Sequence, residues 1–307
     1  MIVVIRLDTG EIEHSIEQHT DAVVAVALTQ DDGLLVSASR DQTIKRWTFR
    51  GMQLLDVIDT IGSPITNMAL SSDDTFLIVS CDNQTVQVKS LVTGSDIHNL
   101  EGHSSDVTSL SITNDSICCY VGCKNGHIYV YNLRSRQLLR TLTNHDSSIT
   151  DLYISADDYF LFSSAENAIH VSNIKQQLNG FIEPDVLSAT DCMTALSISR
   201  EGDVAIAGCA AGSVRLFNLI DGEFTEHITD HKAAVTQVAL SHSYLFSLSG
   251  SKDTTVKVYD NELGEIVAEF TVRKQNSRRF VYFQICFFLS SFIGTFSSDY
   301  KRKNSRR

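Results

Sequence analysis

Pairs of adjacent aspartates recur along the chain on a fixed interval. Asp31-Asp32, Asp73-Asp74 and Asp157-Asp158 stand 42 and then 84 residues apart. Each pair follows an aliphatic residue by three positions: Leu28, Leu70 and Ile154. Histidines keep nearly the same beat, with His19, His103, His145 and His231 spaced by 84, 42 and 86 residues. Two independent markers sharing one interval imply an internal repeat. A repeat of this length restricts the chain to an array of similar supersecondary units that bury their cores against one another.

Stacked on that interval, the chain divides into six units. The first reads HTDAVVAVALTQDDGLLVSASRDQTIKRW from His19, and the last reads HKAAVTQVALSHSYLFSLSGSKDTTVKVY from His231. Within the first unit Val23 to Leu28 form an apolar run with alternating side chains, which predicts a strand covered on both faces. A polar turn on the acidic doublet follows, then LLVSAS as a second strand, a tight turn at Arg40-Asp41-Gln42 and TIKRW as a third. Short links such as FRG, LVTG or NELG lead to a fourth strand, for instance MQLLDVI or EIVAEF. The doublets are read as turn chemistry rather than as calcium or magnesium ligands.

Four antiparallel strands every forty-odd residues resemble the blades of WD-repeat β-propellers over residues 1–272. The resemblance implies an all-β fold of six four-stranded blades, over about 19–60, 61–102, 103–144, 145–188, 189–230 and 231–272. It also implies a half blade at 1–17, in which Met1–Leu7 and Glu11–Glu17 are third and fourth strands. In that family a histidine before the first strand, a serine or threonine on the second, an aspartate in the next turn and a tryptophan on the third bond in series. Carried over by position, these are His19, Ser39, Asp41 and Trp47 in the first unit, and His231, Ser251 and Asp253 with Tyr259 in the last. The third unit has His103, Cys123, Asn125 and Tyr131, and the fourth keeps His145 and Asn167. The second and fifth lack the histidine and carry Asn83 and Ala211 at the aspartate position. Incomplete networks predict unequal blades, with the first and last best tied. The degenerate units with DD turns are also similar to the WD arrays of NACHT and WD-repeat proteins, which implies a sensor or regulatory module.

Charge is unevenly spread. The 307 residues sum to −12. Residues 273–307 hold nine basic groups and one acid, which leaves 1–272 with 16 basic and 36 acidic residues. The tail is open to three readings. Residues 280–299 align with the first two strands of the last unit and would close a seventh blade; 280–296 would make a short membrane span; or the tail is a non-native end. Seven scattered cysteines and the lack of a signal-peptide pattern in the first 20 residues imply a reducing cytoplasm, so the sequons at Asn83 and Asn114 count for little.

Ser, His and Asp are abundant, but they recur at blade spacing, which points to architecture rather than a catalytic triad. The sequence has no G-x-S-x-G elbow, H-E-x-x-H helix or phosphate loop. Cys118, Cys119 and Cys123 near His127 could suggest zinc, yet adjacent strand residues face opposite ways, so they are read as core cysteines. The expectation is a non-enzymatic protein-binding scaffold with no cofactor, metal or small-molecule substrate. Its partners are expected to be proteins, including ones with basic segments, rather than nucleic acid, whose phosphates need clustered cations. A propeller tethered to a membrane through 280–296, or a propeller enzyme, are the alternatives. Candidate partner contacts on loops are Arg40, Lys45, Lys124 and Lys252.

Overall fold

The structure, a computed structural model, describes residues 2–5, 12–59, 62–166, 168–174, 185–188, 192–199, 202–219, 224–241, 244–262 and 264–271. Among them are 26 strands and no helix. The first two, β1 (Ile2–Ile5) and β2 (Ile12–Ile16), form a two-stranded sheet. Blade 1 comprises β3 (Val23–Leu28), β4 (Leu34–Ser39), β5 (Thr43–Thr48) and β6 (Gln53–Asp59). Blade 2 comprises β7 (Ile65–Leu70), β8 (Phe76–Cys81), β9 (Val86–Ser90) and β10 (Asp96–Leu100). Blade 3 comprises β11 (Val107–Ile112), β12 (Cys118–Cys123), β13 (Ile128–Asn132) and β14 (Gln137–Leu142). Blade 4 has β15 (Ile149–Ile154), β16 (Phe160–Ala165), β17 (Ala168–Asn173) and β18 (Asp185–Ser188). Blade 5 has β19 (Met193–Ile198), β20 (Val204–Cys209), β21 (Ser213–Asn218) and β22 (Phe224–Asp230). Blade 6 has β23 (Val235–Leu240), β24 (Phe246–Ser251), β25 (Thr255–Asp260) and β26 (Glu265–Thr271).

Each blade pairs its strands antiparallel in chain order, and the first strands β3, β7, β11, β15, β19 and β23 neighbour one another in succession. The six sheets are therefore the blades of a β-propeller, with first strands innermost and fourth strands at the rim. Burial follows this order. All six second strands are buried from their second residue onward, on both faces. The fourth strands of blades 1, 2, 3 and 6 are the most exposed, with Leu55, Ile97, Leu139 and Ile266 facing solvent.

Most of the core lies between blades, and blade 6 adds a cluster of its own around Leu248, Val256 and Val258. Ala25, Val36, Ala38, Ile44 and Ile58 of blade 1 meet Ile65, Met68, Leu77, Val79 and Leu91 of blade 2. The same stacking joins blades 2 and 3, 3 and 4, 4 and 5, and 5 and 6. Ile2 and Ile16 of the two-stranded sheet pack on Val23, Leu35 and Trp47 of blade 1. A unit that cannot bury its apolar faces alone is stabilised by its neighbours, about 25 cal/mol for each Å² of apolar surface removed from water. Cys119 packs toward blade 2 and Cys118 toward blade 4, the opposed orientations expected of adjacent strand residues.

Aspartates shape the turns after the first strands of blades 1 to 4, as doublets in blades 1, 2 and 4 and as the lone Asp115 in blade 3. Asp31, Asp115 and Asp157 accept hydroxyl bonds from Thr29, Thr113 and Ser155 at 2.6, 2.6 and 2.5 Å. The second aspartates, Asp32, Asp74 and Asp158, are left-handed at φ 54–58°. Two of these also reach the preceding blade. Asp74 accepts from the Gln30 amide at 2.8 Å, and Asp158 from the Asn114 amide at 2.7 Å. The segment 272–307, which carries all three readings of the tail (seventh-blade closure, a membrane span or a non-native end), lies outside the described residues, and no helix among the described residues is long and apolar enough to cross a membrane.

Candidate functional site

The register of blade 1 places His19, Asp41 and their partners at one end. Val23 pairs with Ser39 and Thr43 with Asp59, so the loop entering β3 and the turn from β4 to β5 share one face of the disc. On that face His19 Nδ1 lies 2.9 Å from Asp41 Oδ2, and His19 Nε2 lies 2.8 Å from Ser37 Oγ. Trp47 Nε1 donates to the same Ser37 Oγ at 2.9 Å. The bonds run consistently if His19 is neutral with its proton on Nδ1: Trp47 donates to Ser37, Ser37 to His19, and His19 to Asp41. Burial lowers the His19 pKa, against the opposing pull of Asp41. Burial also pushes Asp41 upward, but bonds from Thr43, the Thr20 amide and His19 outweigh it and hold the carboxyl at about 2.

This corrects the expected series, which ran through Ser39. Ser39 instead donates to the Ala22 carbonyl at 2.9 Å and accepts from the Asp41 amide, fixing the turn to the start of β3. The two serines lie on one face of β4, two residues apart, and the indole reaches the nearer one. Blade 6 repeats the correction. His231 bonds to Asp253 at 3.0 Å and to Ser249 at 2.7 Å, and the Tyr259 hydroxyl takes the place of the indole N–H at 2.9 Å from Ser249. Ser251 holds the Ala233 and Ala234 carbonyls.

The other blades depart from the series in distinct ways. In blade 3, Val121 stands where the bridging serine would be, and Tyr131 bonds directly to His103 Nδ1 at 3.2 Å. His103 Nε2 donates to the Gln84 carbonyl of blade 2 at 2.7 Å, so its proton sits on the opposite nitrogen from that of His19. Asn125 does not join them; it bonds to His127. In blade 4, His145 bonds to Ser163 at 2.7 Å and stacks on His170, while Asn167 lies outside the described residues. Blades 2 and 5 replace the bridging serine with buried Val79 and Ala207. At the tryptophan position blade 5 has Phe217 and blade 2 has Lys89, which is buried and bonds to Asp96.

The same face carries a regular set of exposed positions. The first residue of the turn after each second strand is Arg40, Asp82, Lys124, Glu166, Ala210 and Lys252 in blade order, and all six are exposed. Five are mounted alike: their amides donate to carbonyls of Ala22, Pro64, Asp106, Cys192 and Ala234, at the starts of the innermost strands, over 2.8–3.0 Å. Arg40 pairs with Asp82 at 2.6 Å across the blade boundary, and Lys124 and Lys252 enter no ion pair among the described residues. Three of the four residues expected at the partner surface thus share one structural position. The fourth does not. Lys45 is buried, and its ammonium donates to the Gln18 carbonyl at 2.5 Å, because a third-strand residue on the histidine side points into the sheet stack.

Sequence reasoning missed Ser37 and Ser249. It also missed Arg46, which pairs with Asp56 and reaches the Leu91 and Val92 carbonyls of blade 2. Its signal was available: an arginine beside the buried tryptophan of a third strand needs acceptors. No group of three or more His, Cys, Asp or Glu side chains suited to a metal occurs among the described residues.

The family model described as "Nucleolar protein 10-like, N-terminal domain" matches residues 1–202, and that described as "WD domain, G-beta repeat" matches residues 222–260. No curated protein matches the chain.

Proposed function

The chain belongs to the nucleolar protein 10-like N-terminal domain family, and from that premise we propose that it is a protein-interaction scaffold whose contact surface is the histidine face of the disc. One observation carries this. Six exposed turn residues, Arg40, Asp82, Lys124, Glu166, Ala210 and Lys252, stand at equivalent places around the inner strands, and they vary in charge while the network beneath them serves the fold. Rigid mounting with variable tips suits recognition, since little order must be imposed on binding. WD-repeat propellers generally bind other proteins, and the groups that a triad would need are already occupied within blades.

Partners with Lys- or Arg-rich segments are favoured by the net charge of −20 on residues 1–272, which would also speed encounter at low salt. A finer role, as the sensing part of a larger signalling protein, is supported by the degenerate units with DD turns alone. We place the protein in a reducing compartment, the cytoplasm, on the strength of its free cysteines. The word nucleolar in the family's description belongs to the protein for which the family is named, and imaging of the tagged full chain separates the two locations. The test of the scaffold is capture of partners by the full chain and by its K124E/K252E variant. Partner recovery should change at least about tenfold, rising for partners with basic segments and falling for acidic ones, with unchanged thermal unfolding, since isolated surface charges contribute under about 1 kcal/mol to folding. Equal recovery by the two chains would refute this choice of face.

A further inference from the structure

Blade 4 holds its histidine differently from blades 1 and 6. The rings of His145 and His170 stack with centroids 4.1 Å apart and planes at 37°. His170 lies on β17 directly opposite Ser163 of β16, the place taken by Lys45 in blade 1, and Ser163 is the serine that holds His145 Nε2. His145 is 6% exposed, and His170 Nδ1 is buried with no hydrogen-bond partner among the described residues. Where blade 1 has Trp47, this blade has Ser172, bonded to Asn144 of the entering loop at 3.4 Å.

In blades 1 and 6 the imidazole faces a carboxylate at 2.9 or 3.0 Å, so a proton gained there would be balanced by a neighbouring negative charge. The stacked pair has a second imidazole instead. Asp146, next to His145 on the loop, is the acid that bears on it, acting on His170; Asp151 of β15 instead accepts from the Leu196 amide of blade 5 at 3.2 Å, and burial pushes it up to about 6. From β16 and β17 come Ser163 and Ser172, and from the packed turn of blade 3 comes Gly126, none of which titrates. Lys124 and Glu166 stand exposed on the adjoining turns.

We propose that the His145–His170 stack makes blade 4 an acid-sensitive element of the propeller: a proton taken up by either ring breaks the stack and releases β15 to β17 from the loop that precedes them, while blades 1 and 6 hold. Two cationic imidazoles cannot remain in contact in a buried site, and a single one lacks the carboxylate that would repay its desolvation. Burial first, and the neighbouring His170 second, hold His145 down at about 4.

Amide hydrogen exchange of the full chain, corrected for the intrinsic pH dependence of exchange, tests this between about pH 7 and about pH 5. An ordinary histidine exposed by opening favours it about twentyfold over that interval, while Asp151 of β15, held at about 6 in the folded blade, opposes it about tenfold. The opening equilibrium of β15 to β17 should therefore rise about twentyfold in D151N, which keeps a side-chain acceptor for the Leu196 amide, and only about two- to threefold in the wild-type chain. In D151N the rise in β3 to β5 and β23 to β25 should be several times smaller. In D151N/H170Q, which places at position 170 the residue type that blade 2 has in Gln87, the rise in blade 4 should shrink. In D151N, an equal rise in all three blades, or none in blade 4, overturns the proposal. So does an NMR titration of the wild-type chain in which both imidazoles titrate near the ordinary 6.5, a measurement that does not depend on the variant folding.

Discussion

Ser37 and Ser39 project from the same face of β4, yet they do different work. Ser37 joins an indole to an imidazole, whereas Ser39 ties a turn to a neighbouring strand. Ser37→Ala would leave Trp47 N–H and His19 Nε2 buried without partners, and should lower stability by about 1–3 kcal/mol in denaturant unfolding. His19, Asp41 and Trp47 were legible in the sequence because each residue type has one role at its spacing. The serine was not, because strand alternation puts positions 37 and 39 on one face and only the reach of the indole decides between them. Acid should weaken the fold in two windows. The folded value of His145, about 4, lies below the ordinary 6.5, so the unfolded chain binds a proton that the folded chain refuses. That contribution is intact above about 6.5 and is lost as pH falls toward 4. Asp41 and Asp253, held at about 2 against an ordinary 3.8, contribute fully above 3.8 and lose that contribution as pH falls through 2. Asp151 acts in the opposite sense, since its folded value, about 6, lies above 3.8 and its contribution grows as pH falls from 6 toward 3.8. Unfolding free energy measured along a pH series should therefore decline most clearly below about 4, and the decline between about 6.5 and 4 should be steeper in D151N.

At the level of the blade, the strands were legible because their apolar runs are short and are bounded by Asp, Asn and Gly turns. What the residues could not convey is which tie each blade uses. Blade 3 shifts its histidine proton to bond with blade 2, blade 2 buries Lys89 against Asp96, and Arg46 fastens blade 1 to blade 2. These depend on distances between units, and a repeat aligned on itself contains no such distances. Glycine at the turn after a second strand marks a close approach between units. Gly126 and Gly212 have φ of 82° and 100°, and a Cβ on either would run into the carbonyl oxygen of the next blade's histidine, His145 or His231. Gly212→Ala should cost more than about 2 kcal/mol in thermal or denaturant unfolding, since strain and collision add.

Across the whole disc, the two faces divide the labour. One carries the acidic doublets, whose second aspartates latch successive blades at Asp74 and Asp158. The other carries the histidine networks and, above them, the ring of exposed turn residues. The doublets first marked the repeat, and they did so because each turn needs both an acceptor for a hydroxyl and a residue tolerant of left-handed backbone. The central claim is that one four-stranded sheet recurs six times, each copy covered by its neighbours. Hydrogen exchange resolved along the full chain measures this most directly. Protection should rise and fall six times on the 42-residue interval of the doublets, with second strands slowest and fourth strands fastest to exchange within every copy. A profile with no such recurrence, or with fourth strands as protected as second strands, would contradict it.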